Sequence, residues 1–326
     1  MLQLRMAASP YFKNYLTAVS QIHNLANGKK RFEEWHDITY LLFDEYGDKK
    51  KKVINNFFEI SSNFFVHRAL KFSSTGGVNW NTATDSIQIG HDSLSPTFTF
   101  NRLNLYANRG KDSLLIENTS GVFYLLEEQW KGKSGRVGWE RHDLDRDHYA
   151  QLKTYEIDVT KTGYKANDAI LYLPSFLKDD AITGTFQDKI VSGSFKSYPR
   201  FVSTKGVKEI KGIGEGIRFF GQFALEGVNV IGTGTEEEQA RVYLKNKRGE
   251  LKIRGHADAF IIKKGEVITG NQVDLSIYLG KDSIYHPSIN FRYDIMDREI
   301  ELTKDCLLYT SPSPRDRTRS RMPSSA

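Results

Sequence analysis

The chain has 326 residues, a formal net charge of +6, 39% hydrophobic residues and a single cysteine. One cysteine excludes an internal disulfide, a multi-thiolate metal centre and a paired-thiol redox motif, and no apolar run approaches the roughly 20 residues that cross a bilayer as a helix. The length, about two average domains, is ample for a sizeable core.

Residues 1–70 read as a segment of three amphipathic helices. Ser9 before Pro10 has the form of an N-cap and first-turn pair, and Phe12, Tyr15, Leu16, Val19, Ile22 and Ala26 then fall on one face, with Gly28 as the stop. A second run places Phe32, Trp35, Ile38 and Leu42 on a stripe that ends at Gly47. A third starts from Asp48 and carries Val53, Phe57, Ile60 and Phe64, widened by Ile54, Phe58 and Phe65, so its broad apolar face needs a partner surface. The lysines at 49–52 sit at that helix start, opposed to its dipole, with Asp44, Glu45 and Asp48 near enough to compensate.

From Phe72 the period changes to two. Phe98 and Phe100 alternate with threonine, and Leu103 and Leu105 continue one step out of phase, which predicts a bulge near Asn101 and Arg102. Later alternating runs are Tyr155, Ile157 and Val159; Leu251 and Ile253; Val273, Leu275 and Ile277; Ile289, Phe291 and Tyr293; and Ile300 and Leu302. Turn clusters such as Lys263-Lys264-Gly265 and Gly280-Lys281-Asp282 separate them. Short strands at this spacing indicate a mainly β fold with an N-terminal α-helical segment, the strands forming a stack of solenoid, jellyroll or sandwich type over 71–305.

One echo runs through the β region. Leu103 and Leu105, Gly110-Lys111-Asp112-Ser113, then Phe123 and Leu125 recur as Val273 and Leu275, Gly280-Lys281-Asp282-Ser283, then Tyr293 and Ile295, at a constant offset of 170. A shared offset across strand, turn and strand favours two copies of one unit, about 71–200 and 201–305; the competing reading is ordinary turn chemistry recurring by chance.

Two segments carry candidate binding chemistry. Trp130, Lys131, Lys133, Arg136 and Trp139, with glycines and a serine between them, read as a hairpin tip. Exposed, two indoles and three cations would stack on a sugar ring or meet a phosphate; buried, the tryptophans would anchor the hairpin while the cations solvate its turn. Asp143, Asp145 and Asp147 resemble the opening of a calcium loop, but His148 stands where that loop needs Gly and Thr154 where it needs Glu. On a β scaffold the three aspartates would face one side and hold a cation loosely; the alternative is a solvated turn paired with Arg141 and Arg146.

Gly212-Ile213-Gly214-Glu215-Gly216 lacks the following helix and the Lys-Ser/Thr pair of a phosphate loop and reads as a hairpin turn. His286 before Pro287 reads as a packing or turn-capping residue. Gly-x-Ser-x-Gly, His-Glu-x-x-His and Walker signatures are absent, no cofactor is implied, and a carbohydrate-active enzyme with distant acidic pairs stays open.

The last 21 residues, Cys306 to Ala326, resemble a translated sequencing adapter, which implies a non-native tail to be set aside and a gene fragment whose sheet is cut near Asp305. Without them Lys+Arg falls to 42, Asp+Glu to 39 and the charge to +3, and the cysteine disappears. Such a balance gives no reason to expect a nucleic-acid footprint.

From about Ala240 to Asp305, Gly270 before a strand, the alternation of Val273, Leu275 and Ile277, the corner at Asp282 and the strand end Tyr293-Asp294 resemble the repeats of OstA-like lipopolysaccharide-transport jellyrolls. The chain is also similar in rhythm to long β-repeat envelope proteins of Bacteroidota. These resemblances imply a non-enzymatic structural or binding protein of the cell envelope (periplasm or outer membrane) or a secreted one. Its edge strands would pair with neighbouring segments or envelope proteins, and lipid or glycan is the implied ligand.

Overall fold

The structure, a computed structural model, describes residues 12–46, 51–84, 86–177, 181–190 and 197–304. The Ser9-Pro10 pair, the Gly47-Asp48 boundary, Lys49 and the adapter-like tail 306–326 lie outside the described residues. The fold is mainly β, preceded by helices, and every recorded ladder is antiparallel.

The three helices are α1 (Phe12–His23), α2 (Gly28–Tyr46) and α3 (Lys51–His67). The buried stripe of α1 is Tyr15, Ala18 and Ile22; Leu16 is 49% exposed, and the small Ala18 is buried in its place. Gly28 does not stop α1 but opens α2: a Cβ there would lie 2.7 Å from the carbonyl oxygens of Ile22 and His23. Trp35 of α2 is fully buried, donates from Nε1 to Ser61 Oγ of α3 at 3.1 Å, and lies 5.5 Å from the Phe57 ring and 5.6 Å from the Tyr15 ring. The broad face of α3 finds its partner surface in the sheet, where the Phe64 and Phe65 rings meet Phe98 at 5.0 and 5.7 Å.

The described residues divide into two compact units. The first holds the residues up to Lys205 with Ala224–Val228, and the second holds Gly206–Phe223 and the residues from Asn229 onward. Helices and early strands therefore share one unit.

In the first unit the strands are β1 (Ala69–Lys71), β2 (Asn79–Asn81), β3 (Gln88–Asp92), β4 (Ser95–Arg109), β5 (Asp112–Tyr124) and β6 (Gln129–Lys133). They are followed by β7 (Arg136–Gly138), β8 (Tyr149–Leu152), β9 (Thr154–Asp158), β10 (Gly163–Tyr172), a four-residue helix α4 (Pro174–Leu177), β11 (Ile182–Lys189) and β12 (Arg200–Ser203). Then come β13 (Lys208–Ile210), β14 (Ile217–Glu226), β15 (Asn229–Thr233), β16 (Ala240–Lys245), β17 (Leu251–Ala257), β18 (Ala259–Lys263), β19 (Val267–Leu279), β20 (Asp282–Asp294) and β21 (Ile300–Lys304). The glycine cluster at 212–216 joins β13 to β14, which pair as a hairpin.

The echo in the sequence is a repeat in the ladder. The β4–β5 hairpin pairs Phe98 with Phe123, Leu105 with Ile116 and Arg109 with Asp112; the β19–β20 hairpin pairs Ile268 with Tyr293, Leu275 with His286 and Leu279 with Asp282, all shifted by 170. Both hairpins slip register at the same two places, between Phe100, Leu103 and Leu105 and between Gly270, Val273 and Leu275, so the bulge at Asn101-Arg102 is itself repeated. Both turn on a glycine at positive φ, Gly110 and Gly280, which an L side chain would adopt only with strain.

The likeness extends outward on both sides. On one flank β6 sets Trp130 opposite Phe123 and β21 sets Ile300 opposite Tyr293, again offset by 170. On the other, Trp80 of β2 faces Ala107 and Ile89 of β3 faces Phe98, as Ile253 of β17 faces Ile277 and Ile262 of β18 faces Ile268. The β2 and β3 members of these pairs are offset by 173 and their β4 partners by 170, because the hairpin from Ile262 to Ile268 is three residues shorter than the one from Ile89 to Phe98. Five consecutive strands, β2–β6 and β17–β21, thus recur in matching register, and β1 on β2 and β16 on β17 extend the same pairing order.

Candidate functional site

The segment from Trp130 to Trp139 is not a hairpin tip. β6 and β7 do not pair with each other; both lie along β5, Lys133 opposite Ser120 and Arg136 opposite Glu117, and β9 and β8 continue in the same order on their other side. They form one strand interrupted at Ser134 (φ 53°) and Gly135 (φ 142°), a bulge in place of a turn. The turn-like composition belongs to that bulge.

Strand alternation then decides the side chains. Trp130 and Trp139 point inward with no exposed surface. Trp130 lies against Phe100 at 5.7 Å, and Trp139 against Phe186 at 5.9 Å while its Nε1 donates to the Gly227 carbonyl at 3.0 Å. Neither indole has a face free to stack on a sugar. Lys131 and Lys133 are exposed on the opposite face, and Lys131 Nζ sits 4.7 Å from the centre of the Tyr124 ring. Arg136 is committed locally: it pairs with Glu117 at 2.5 Å, donates to the Arg146 carbonyl and covers the Tyr149 ring at 4.7 Å.

The aspartate run follows a short 3-10 turn, Glu140–His142, and begins at Asp143 in the left-handed region (φ 60°). Asp143, Asp145 and Asp147 are all exposed, and among the described residues no group of three or more His, Cys, Asp or Glu side chains is arranged to hold a metal ion. The expected convergence fails because the segment is a turn and not a strand, so alternate residues do not share a face. His148 beside it is buried, with Nε2 3.0 Å from Ser175 Oγ of α4 and Nδ1 2.6 Å from Asp147 Oδ1 without hydrogen-bond geometry. The order Ser, His, Asp has no nearby oxyanion donors from α4, since the N–H groups of Phe176 and Leu177 both donate to the Leu173 carbonyl. The contact ties α4 to the turn.

The most perturbed titrating groups of this unit, Asp188, Tyr164 and Tyr155, lie on the paired strands β9, β10 and β11. Arg141 joins two buried carboxylates, Asp188 Oδ1 at 2.5 Å and Asp112 Oδ1 at 3.5 Å, and donates to the Ser113 carbonyl at 3.0 Å. Asp188 also accepts from the Lys189 N–H at 2.8 Å. Burial pushes its carboxyl above the usual range; Arg141 opposes that and Asp112 adds to it. Tyr164, paired directly with Asp188 across the β10–β11 ladder, is buried and raised well above its ordinary value, first by burial and then by the Asp188 charge. Tyr155 is pushed up to about 12 by burial, against the hydrogen bond its hydroxyl makes with Thr119 Oγ1 at 2.6 Å.

An open cleft of about 670 Å³ adjoins the cluster, with Lys161, Tyr164, Asp188, Lys189 and Tyr198 among its walls. Asp188 does not reach into it as a free acid, because its oxygen is held by Arg141 and the backbone. The cluster clamps the β4–β5 turn to β11 through the 3-10 turn. Sequence reasoning missed it: Asp112, Arg141 and Asp188 are 29 and 47 residues apart, and only the folded ladder assembles them.

Among the described residues no helix is long and apolar enough to cross a membrane. No protein-family model, curated protein or solved structure matches the chain.

Proposed function

We propose that this chain is a repeat-built β scaffold with a structural or binding role in the bacterial cell envelope or in a secreted protein, and that its work is to hold and extend a sheet. The observation that carries this reading is the recurrence of five strands in matching register, with a sixth in the same pairing order and the slips of the long hairpin included. Repetition of a whole ladder is how quasi-one-dimensional proteins grow, each unit burying its faces against the next. The ionic cluster supports the same reading, since its charged groups are committed to packing.

A second reading, lipid carriage, is favoured by one feature of the second unit. Leu279 is 58% exposed, Ile284 56% and Ile300 40%, and Ile284 and Ile300 lie on the same side of the sheet as the buried Leu275 and Phe291. An acyl chain would find an apolar wall there.

Long-read genomic sequencing across the locus tests the scaffold reading. An export signal upstream of Met1, and further alternating strands at the same ladder spacing beyond Asp305, are expected. A frame that opens at Met1 without a signal and stops soon after Asp305 refutes it. Organic extraction of the purified chain followed by mass spectrometry tests lipid carriage, which fails if no lipid is retained.

A further inference from the structure

One row of outward side chains sets the second copy of the ladder apart from the first. Tyr243 of β16 faces Arg254 of β17, Arg254 faces Ser276 of β19, and Ser276 faces Tyr285 of β20. At a strand spacing of about 4.8 Å the row spans roughly 14 Å. The equivalent row of the first copy is Ala69, Asn81, Tyr106 and Leu115, which holds no charge and a single ring. Both copies keep the same pairing, so the ladder itself asks for neither the arginine nor the two flanking rings.

The row is open and its cation is unspent. Arg254 is exposed and makes no ion pair among the described residues, whereas Arg218, next in the row, is held by Glu209 at 2.8 Å and Arg241 by Glu238. Because β17 is flanked by β16 and β19, Arg254 lies within the sheet and not at its margin. His256, two residues along on the same face, sits opposite Arg241 and Asp274, and its Nε2 has no hydrogen-bond partner among the described residues. Burial first, then Arg254 and Arg241, hold its imidazole below the ordinary value, against Asp274. Tyr285 is 63% exposed. In the first copy the chain runs on through a whole further unit and Tyr106 of the matching row is still 36% exposed, so continuation of the repeat leaves this face free.

We propose that this row is a binding track for a uronic-acid-bearing polysaccharide, with a carboxylate on Arg254 and a sugar ring against Tyr285. This rests on the repeat-scaffold reading and deepens its binding role by naming a ligand class. A guanidinium takes a carboxylate through two parallel hydrogen bonds, and one free guanidinium matches a polymer whose single charges are widely spaced. An exposed tyrosine offers an apolar ring with a wet hydroxyl, which suits the CH face and hydroxyls of a sugar. Nucleic acid fits this face less well, because it calls for several cations against closely spaced phosphates and open rings for successive bases. Here the Phe220 ring lies under Arg218 and Arg241 at 5.0 and 5.1 Å, with Tyr243 edge-on to it. A membrane surface fits poorly too, since Leu279, Ile284 and Ile300, the exposed aliphatic residues of these strands, lie on the opposite side of the sheet.

The test titrates the full chain with fluorescently end-labelled oligogalacturonate at low salt, followed by anisotropy. Saturable binding is expected, and methyl esterification of the probe, which removes its charge and keeps its rings, should weaken it at least about tenfold. Arg254→Asn, which matches the first copy at this position, should weaken the charged probe by a similar factor while circular dichroism and the melting temperature stay as in the parent. Tyr285→Ala should weaken it by about threefold or more. The proposal is overturned by the absence of saturation up to about 1 mM probe, by equal binding of the esterified probe, or by indifference to Arg254→Asn or to Tyr285→Ala. A single-stranded oligonucleotide, or vesicles of phosphatidylglycerol, that bound more tightly than the probe and needed Arg254 would assign the face to those partners and overturn it as well. Should Arg254→Asn fail to fold, the esterified probe and Tyr285→Ala still decide. Absence of binding with a locus that continues in further β units would remove the track and leave the scaffold standing; binding with a locus that stops would do the reverse.

Discussion

Replacing Arg141 by alanine isolates the contribution of the buried ionic cluster. Asp188 is 3% exposed and Asp112 6%, and the same guanidinium serves both. Removing one partner of a buried ion pair costs about 3–5 kcal/mol, because the charge left behind stays desolvated. Here two carboxylates are left, which places the expectation in the upper half of that range at pH 7. For a unit of this size 1 kcal/mol moves Tm by roughly 2–4 °C, so a fall of about 8–20 °C is expected. All four tryptophans, Trp35, Trp80, Trp130 and Trp139, belong to the first unit, so intrinsic tryptophan fluorescence follows its unfolding alone. The pH dependence has a definite sign. Burial holds the folded carboxyl of Asp188 above its ordinary value, and losing Arg141, which opposes that shift, raises it further. A carboxyl raised on folding favours the folded state below the unfolded value, and that contribution is lost as pH rises through the folded one. The deficit of the variant relative to the parent should therefore shrink as pH is lowered from 7 through the raised folded value, and adding Asp188→Asn should recover part of it at pH 7. A deficit under about 1 kcal/mol at pH 7, or one that does not shrink as pH is lowered, would refute the role given to Arg141.

Further outcomes follow from the same packing. Trp139→Ala removes the hydrogen bond to Gly227 and the edge contact with Phe186 and should cost about 3–5 kcal/mol in urea unfolding, whereas Trp139→Phe, which keeps a ring, should cost about 1–2. Gly132→Ala should cost more than about 2 kcal/mol through overlap with Tyr155, while Gly110→Ala, with open space but φ +63°, should cost about 1. Lys133→Glu, which faces Ser120 and Thr154 on the exposed side, should leave stability within about 0.5 kcal/mol, measured by the same midpoint. Calcium against EDTA should shift the melting temperature by less than about 1 °C, since the aspartates at 143, 145 and 147 do not converge.

Much of this architecture was legible wherever it depends on local period. Helical spacing located α2 and α3, and the misjudged stripe, Leu16 in place of Ala18, reflects a rule that scores hydrophobicity and passes over a small residue that is nonetheless buried. The repeat was legible because register fixes spacing: a strand and its partner stay at a constant offset as long as the turn keeps its length. The Trp130–Trp139 segment misled because glycine, lysine and serine are common to turns and bulges, and only the pairing of both halves with β5 separates the two. The Asp112–Arg141–Asp188 cluster has no local signature, since charge pairs across a sheet depend on which strands become neighbours.

Two hairpins with the same register are geometrically interchangeable, and repeat-built proteins misassemble by exchanging such elements. The side chains make that exchange costly. In the first unit Phe100 fills the core itself, 5.8 Å from Phe64 and 5.7 Å from Trp130. At the equivalent position the second unit has Gly270, and the space is taken by Phe260 of the adjacent strand, whose ring would be 2.6 Å from a Cβ on that glycine. A hairpin placed in the wrong unit would thus bring two rings to one volume, or none. During folding each hairpin is selected by its own cradle, so the backbone plan can be duplicated without the copies becoming confused.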